Sequence, residues 1–183
     1  MAIDDMDHPE EVMWQGRFLT AKKRGKWEYV GRARGIHAAV ILAVTEAQEV
    51  LLVEQFRTPL GRACMELPAG LVGDSAGEEG EASIDAARRE LEEETGYRAA
   101  AWENLGEFYS SPGMVSESFT LLKASVLEQV GPGGGVHGED IIVHRVPLGE
   151  IAAFVSASRA RGLAIDVKLL ALLGAGYLTC STG

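Results

Sequence analysis

The chain has 183 residues and a formal net charge of −10, from 17 Lys and Arg against 27 Asp and Glu. That length suits one domain with a proper core, and the acidic balance disfavours a non-specific grip on nucleic acid. It leaves a phosphate-bearing substrate open, because bound cations can invert a local field.

Residues 1–11 read as an acidic, mobile tail. Residues 12–20 and 26–34 read as two strands of a hairpin joined by Lys22-Lys23-Arg24-Gly25. Residues 37–44 and 49–56 are richer in Val, Ile and Leu and read as core strands. A short strand is expected before Gly70. Residues 73–80 (Gly-Asp-Ser-Ala-Gly-Glu-Glu-Gly) read as a flexible acidic loop. A helix follows, whose apolar stripe is Ile84, Ala87 and Leu91. Strands are expected over 102–110, 118–127 and 141–146, then helices over 148–159 and 166–177, with Asp166 as N-cap of the second. The most apolar stretch, 167–178, is too short for a membrane span and reads as a buried helix. Cys64 and Cys180 have no metal-ligand spacing; with no signal peptide in view they read as reduced thiols of a cytoplasmic protein. Mixed strands with helices on both faces describe an α/β sandwich.

The most informative segment is Arg89-Glu90-Leu91-Glu92-Glu93-Glu94-Thr95-Gly96-Tyr97. On a helix, Glu90, Glu93 and Glu94 stand at i, i+3 and i+4 and share one face, away from the apolar stripe. Three like charges repel, and a hard divalent cation with oxygen ligands is the natural compensation. Gly96 suits the left-handed residue that ends a helix. A charge run more often means a solvated face. Against that, at roughly 6% for each residue type, Arg, Glu, Glu, Glu and Gly at these positions coincide by chance on the order of once in a million starts.

This segment resembles the Nudix hydrolase signature: Arg-Glu, an apolar residue, Glu-Glu and Gly, preceded at eight residues by Glu81. The signature's first glycine fits Gly70, the last residue of Glu66-Leu67-Pro68-Ala69-Gly70. Ten residues separate Gly70 from Glu81 where the signature has five, which we read as an insertion in the 73–80 loop. The resemblance covers the chain from about Trp27. It implies a Nudix-type α/β/α sandwich with a mixed sheet and an N-terminal β-hairpin extension, divided as residues 1–34 (tail and hairpin, for dimerisation) and 35–183 (catalytic domain).

The resemblance also implies chemistry. Glu90, Glu94 and the Ala69 carbonyl would ligate Mg²⁺, with Mn²⁺ as a possible substitute. Glu93 would ligate or support the metal shell, and Arg89 would orient the carboxylates. Ser111-Pro112-Gly113, with Pro112 fifteen residues beyond Tyr97, is similar to the mark of the ADP-ribose pyrophosphatase branch. There a glutamate just past the turn binds the terminal ribose, here Glu117. Taken alone, the same residues make an ordinary turn between strands. Glu54-Gln55-Phe56-Arg57 is similar to the strand end that carries a phosphate-binding arginine, Arg57; a surface arginine closing a strand is an equal alternative. In the glycine-rich run 131–140, read as a mobile loop, Glu139 is the candidate general base, ahead of His137 and Asp140. Trp27, Tyr29 and Arg34, with Arg32, are candidates for the adenine, although such residues more often just pack a hairpin.

The expected reaction is Mg²⁺-dependent hydrolysis of ADP-ribose to AMP and ribose 5-phosphate by a cytoplasmic homodimer, with a small nucleoside diphosphate substrate and neither nucleic acid nor membrane as partner. A nucleotide sugar or a dinucleotide is the alternative substrate. A non-catalytic ADP-ribose-binding regulator is the alternative of another class. A regulator should have lost metal carboxylates, and Glu90, Glu93 and Glu94 are all present.

Overall fold

The computed structural model describes residues 4–33, 36–73, 81–136, 138–170 and 172–174. Two four-stranded mixed sheets form the body, and a three-stranded sheet stands at the N-terminus.

The body begins with β4 (His37–Ala43) and β5 (Glu49–Arg57). In β4 alternate residues face opposite ways, and both faces are apolar. Ala39, Ile41 and Ala43 pack with Ala86, Ala87 and Leu91 of α1 (Ser83–Thr95). Val40 packs on the other side with Ile151 and Val155 of α2 (Ile151–Ala160) and with Leu169. A strand apolar on both faces must be covered on both, and the layering is therefore α/β/α, as expected.

One sheet runs β7 (Ala69–Val72), β4, β9 (Ser118–Gln129), β8 (Tyr97–Tyr109). Within it β4 and β9 are parallel and the outer pairs antiparallel. The other runs β10 (Ile142–Pro147), β5, β6 (Arg62–Glu66), β11 (Ala164–Ile165), with β6 and β11 parallel. Among the described residues no helix is long and apolar enough to cross a membrane.

Several boundaries differ from the sequence reading. The N-terminal sheet has three strands, β1 (Glu11–Gln15), β2 (Leu19–Arg24) and β3 (Trp27–Arg32). Gly16 donates to the Leu19 carbonyl at 2.8 Å and turns the chain early. Lys22-Lys23-Arg24 lies in β2, not in a turn, because its charges find partners outside the strand: Lys22 pairs with Glu10 at 2.8 Å. The tail is also tied down. Asp5 accepts from the Lys26 amide at 3.2 Å and from Trp27 Nε1 at 3.1 Å. Strand β8 starts five residues before its expected first residue, since pairing with β9 from Tyr97 opposite Gln129 onward overrides the weak strand preference of Ala99–Ala101. Asp166 does cap: its side chain accepts the Lys168 amide, and a 3₁₀ turn, Val167–Leu169, leads into helix at residues 170 and 172–174. The predicted end of that helix at residue 177, and Cys180, lie outside the described residues.

Helix α1 carries the most consequential difference. Its buried residues are Ala86, Ala87, Leu91, Glu94 and Thr95, and Ile84 is only half-buried. Glu94 thus belongs to the packed side of the helix, in line with Ala87 and Leu91, rather than to a face turned away from it.

Candidate active site

The start of β7 presses directly against α1. The Ala69 amide donates to Glu94 Oε2 at 3.1 Å. Gly70 lies so close to the Glu90 side chain that a Cβ there would overlap its carboxyl group. Any larger residue at position 70 would displace the Glu90 carboxylate from this place. The contact removes two carboxylates, one helical turn apart, from water. Burial raises the Glu94 carboxyl to about 8, against the pull of the Ala69 amide, and the charges of Glu90 and Glu139 push the same way. Burial likewise raises Glu90 to about 7, and Arg89 offsets only part of it.

Arg89 gathers the remaining acids of the motif. It donates to Glu90 Oε1 at 2.8 Å and Glu93 Oε2 at 3.5 Å, and lies 3.8 Å from Glu81 Oε2. Glu81 in turn accepts the Gly73 amide at 3.1 Å. Residues 74–80, which hold most of the extra loop, lie outside the described residues; Glu81 nevertheless stands beside the motif.

Among the described residues, no three Asp, Glu, His or Cys side chains converge in this geometry to hold a metal ion. Glu90 is turned toward Arg89, and Glu94 toward the Ala69 amide. The donor set still fits a hard divalent cation: two desolvated carboxylates on adjacent turns, whose mutual repulsion is only partly offset.

The glycine-rich run, expected to be mobile, is a strap packed on the C-terminal end of α1. The amides of Gly134 and Gly135 donate to the carbonyls of Glu94 and Glu93 at 2.8 and 2.9 Å, and those of Val130 and Gly131 to Gly96. These satisfy carbonyls that a helix end leaves open. Gly133 has a φ of +67°, and a Cβ there would strike the Thr95 backbone. The glycines therefore serve close approach. Glu139 follows the strap and accepts the Val136 amide at 2.9 Å, and its charge is felt at both Glu90 and Glu94. His137 lies outside the described residues. Asp140 adopts a left-handed φ of +49° and is exposed.

The sequence-predicted substrate residues divide between two cavities. One, of about 510 Å³, opens beside Ala69 and Gly70 and is lined by Arg57 and Glu117. Arg57 is held by Glu66 through two bonds of 2.7 and 2.9 Å, and Arg32 donates to Glu117 at 2.6 Å. The other, of about 560 Å³, is lined by Trp27, Tyr29, Pro112 and Gly113. Trp27 and Tyr29 thus do not share a cavity with Arg57. Glu117 directly follows Ser116 of the second cavity, so the two adjoin in sequence. Arg34 lies outside the described residues. Sequence reasoning missed Glu66, Asp166 and Lys168 as cavity residues. Glu66 had been noted only for the segment that ends in Gly70, and Asp166 only as a cap.

A family model described as NUDIX domain matches residues 35–164. The chain is 43% identical to an ADP-ribose pyrophosphatase of Bacillus subtilis over 95 residues, 50% of this chain and 49% of that protein. It thus matches about half the length of that relative. It is 30% identical to an uncharacterized Nudix hydrolase of Schizosaccharomyces pombe, over 87% of this chain and 80% of that protein. It is 35% identical to a GDP-mannose pyrophosphatase of Citrobacter koseri, over 81% and 76%. The solved structure of an ADP compounds hydrolase superposes with a TM-score of 0.68, covering 96% of this chain and 95% of that one, at 19% identity. That last likeness is one of fold.

Proposed function

The chain belongs to the Nudix family, and from that premise we propose that it hydrolyses the diphosphate of ADP-ribose to AMP and ribose 5-phosphate. One observation carries the reading. The half-buried Glu90 and the buried Glu94, one turn apart, face the segment Ala69–Gly70 beside a cavity of about 510 Å³.

Nudix enzymes work with a divalent metal, and we take it to be Mg²⁺, with Mn²⁺ as a substitute. Glu90, Glu94 and the Ala69 carbonyl would hold it, with Glu93 in support. When bound, such a cation neutralises diphosphate charge and lowers the pKa of water. Arg89 keeps Glu90 and Glu93 oriented. Glu139 accepts a proton from the attacking water as its oxygen bonds to one phosphorus. The bond from that phosphorus to the bridging oxygen breaks, and the bridging oxygen leaves with the other phosphate. Arg57, braced by Glu66, offers its remaining N–H groups to a phosphate oxygen. Glu117 accepts from paired hydroxyls of the terminal ribose. Trp27 and Tyr29, with Pro112 and Gly113, offer the aromatic cavity to the adenine.

A GDP-sugar is the second reading, favoured by the similarity to GDP-mannose pyrophosphatase over most of the chain. Incubation with Mg²⁺ and ADP-ribose, GDP-mannose or a dinucleoside polyphosphate, with nucleoside monophosphate release measured, decides between them. The expected order places ADP-ribose first. A higher kcat/KM for GDP-mannose would replace the first reading by the second. ADP-ribose binding without release would point to a regulator.

Two copies of the chain would pair through the N-terminal sheet, consistent with a domain division near residue 34. Every residue of β1 is exposed, and Val12, Met13, Trp14 and Phe18 present apolar surface there. Sedimentation at micromolar concentration should give a dimer. A monomer whose activity does not change with concentration would defeat this part.

A further inference from the structure

The cavity beside α1 has a far wall to which the proposed reaction assigns nothing. Lys168 Nζ donates to Asp166 Oδ2 at 2.6 Å and stands 5.7 Å from the centre of the Phe119 ring. The Lys168 side chain is only 17% exposed. Asp166 is anchored on three sides. Its Oδ1 accepts the Lys168 amide at 2.7 Å, its own amide donates to the Met65 carbonyl at 3.0 Å, and the preceding Ala164 and Ile165 pair with Cys64 and Met65. The pair is therefore fixed to the strand that carries Glu66.

Arg57, braced by Glu66, keeps N–H groups for the diphosphate; on the rest of the wall each cation is matched by a carboxylate that also lines the cavity, Arg32 by Glu117 and Lys168 by Asp166. The wall is electrically balanced and dense in both donors and acceptors. Such a wall suits hydroxyl groups, because each hydroxyl gives one hydrogen bond and accepts others. It suits a phosphate poorly. A phosphate only accepts, and it would bring its charge against Asp166 and Glu117.

We propose that Lys168 and Asp166 select the group joined to the far side of the diphosphate, taking an uncharged polyhydroxyl group and rejecting one that bears a further phosphate. The inference rests on the reading of this cavity as the diphosphate site. Lys168 supplies the hydrogen-bond donors, and Asp166 sets the charge.

Asp166→Asn isolates the charge, since Asn caps a helical turn about as well as Asp. The full-length chain with Mg²⁺ would be assayed on ADP-ribose and on ADP-ribose phosphorylated on its terminal ribose. The wild type should prefer the first in kcat/KM. Asp166→Asn should move that ratio roughly tenfold toward the phosphorylated compound, the size of one ordinary recognition contact. Lys168→Met should raise KM for ADP-ribose by about tenfold with kcat kept, as loss of uniform binding does. Lys168→Arg should restore part of it. The ratio compares two substrates on one preparation, so a loss of folded protein cancels. An active wild type whose ratio is unchanged in both Asp166→Asn and Lys168→Met overturns this inference alone. A wild type that cleaves neither compound overturns the diphosphate reading, and this inference with it.

Discussion

Replacing Glu94 by Gln should cost most of the turnover, on the order of 10²-fold or more, while the fold is kept. Losing even a supporting group of a metal site commonly costs about 10–100-fold, and Glu94 is proposed as a direct ligand. Gln retains an oxygen for the Ala69 amide, so the packing of β7 on α1 survives. Stability gives an independent readout. The folded carboxyls of Glu94 and Glu90 lie near 8 and 7, against 4.5 for an unburied glutamate. Between 4.5 and 8 the native state therefore holds more protons than the unfolded chain, and stability falls as pH rises through that window. In chelator, the wild type should lose melting temperature from pH 5 to pH 9, and Glu94→Gln should lose less. Saturating Mg²⁺ reverses the order. At about 100 times Kd it adds roughly 2.7 kcal/mol to the wild type, or about 5–10 °C for a chain of this size, and adds little to the variant. Hydrolysis at the wild-type rate by Glu94→Gln would remove Glu94 from the metal site.

Glu139→Gln should lower kcat by roughly 10²–10⁴-fold, the span of a positioned general base, and leave KM nearly unchanged. The amide oxygen can still accept the Val136 N–H, so the strap should keep its course. His137→Ala should cost far less, because an imidazole competes poorly for a proton beside a cation. Stopped assays across substrate concentration separate the two parameters. A loss confined to KM would make Glu139 a binding group. A larger loss in His137→Ala would transfer the role of base to His137. If neither change matters, the carboxylates of α1 suffice to activate the water.

Much of this molecule is encoded in short stretches. The i, i+3, i+4 spacing of Glu90, Glu93 and Glu94 predicts one helix face, and α1 forms there with Gly96 as its left-handed C-cap at φ +74°. The Val, Ile and Leu content of residues 37–44 predicts a core strand, and Asp166 predicts a cap; both are found. These are local signals, set by side chains within about one helical turn or one strand of each other. They hold wherever no tertiary contact opposes them.

The remaining features depend on which distant strands meet. Helical spacing puts Glu94 in line with Ala87 and Leu91, but what it meets on that side, Ala69, lies 25 positions earlier. The glycines after Val130 read as a mobile tip. Their role as a strap exists only because β9 delivers them to the end of α1, where open carbonyls and a tight approach demand residues without a Cβ. Arg32 meets Glu117 across 85 positions, and the C-terminal turn brings Lys168 into the same cavity by pairing β11 with β6. By itself, the sequence determined the helix, its carboxylates and the layered class, since helical spacing and apolar strand runs act over a few residues. Only the tertiary structure decided which carboxylates lose water, how each cation is matched, and that the substrate candidates lie in two cavities. Burial and ion pairing depend on sheet register, which is set by the whole core at once.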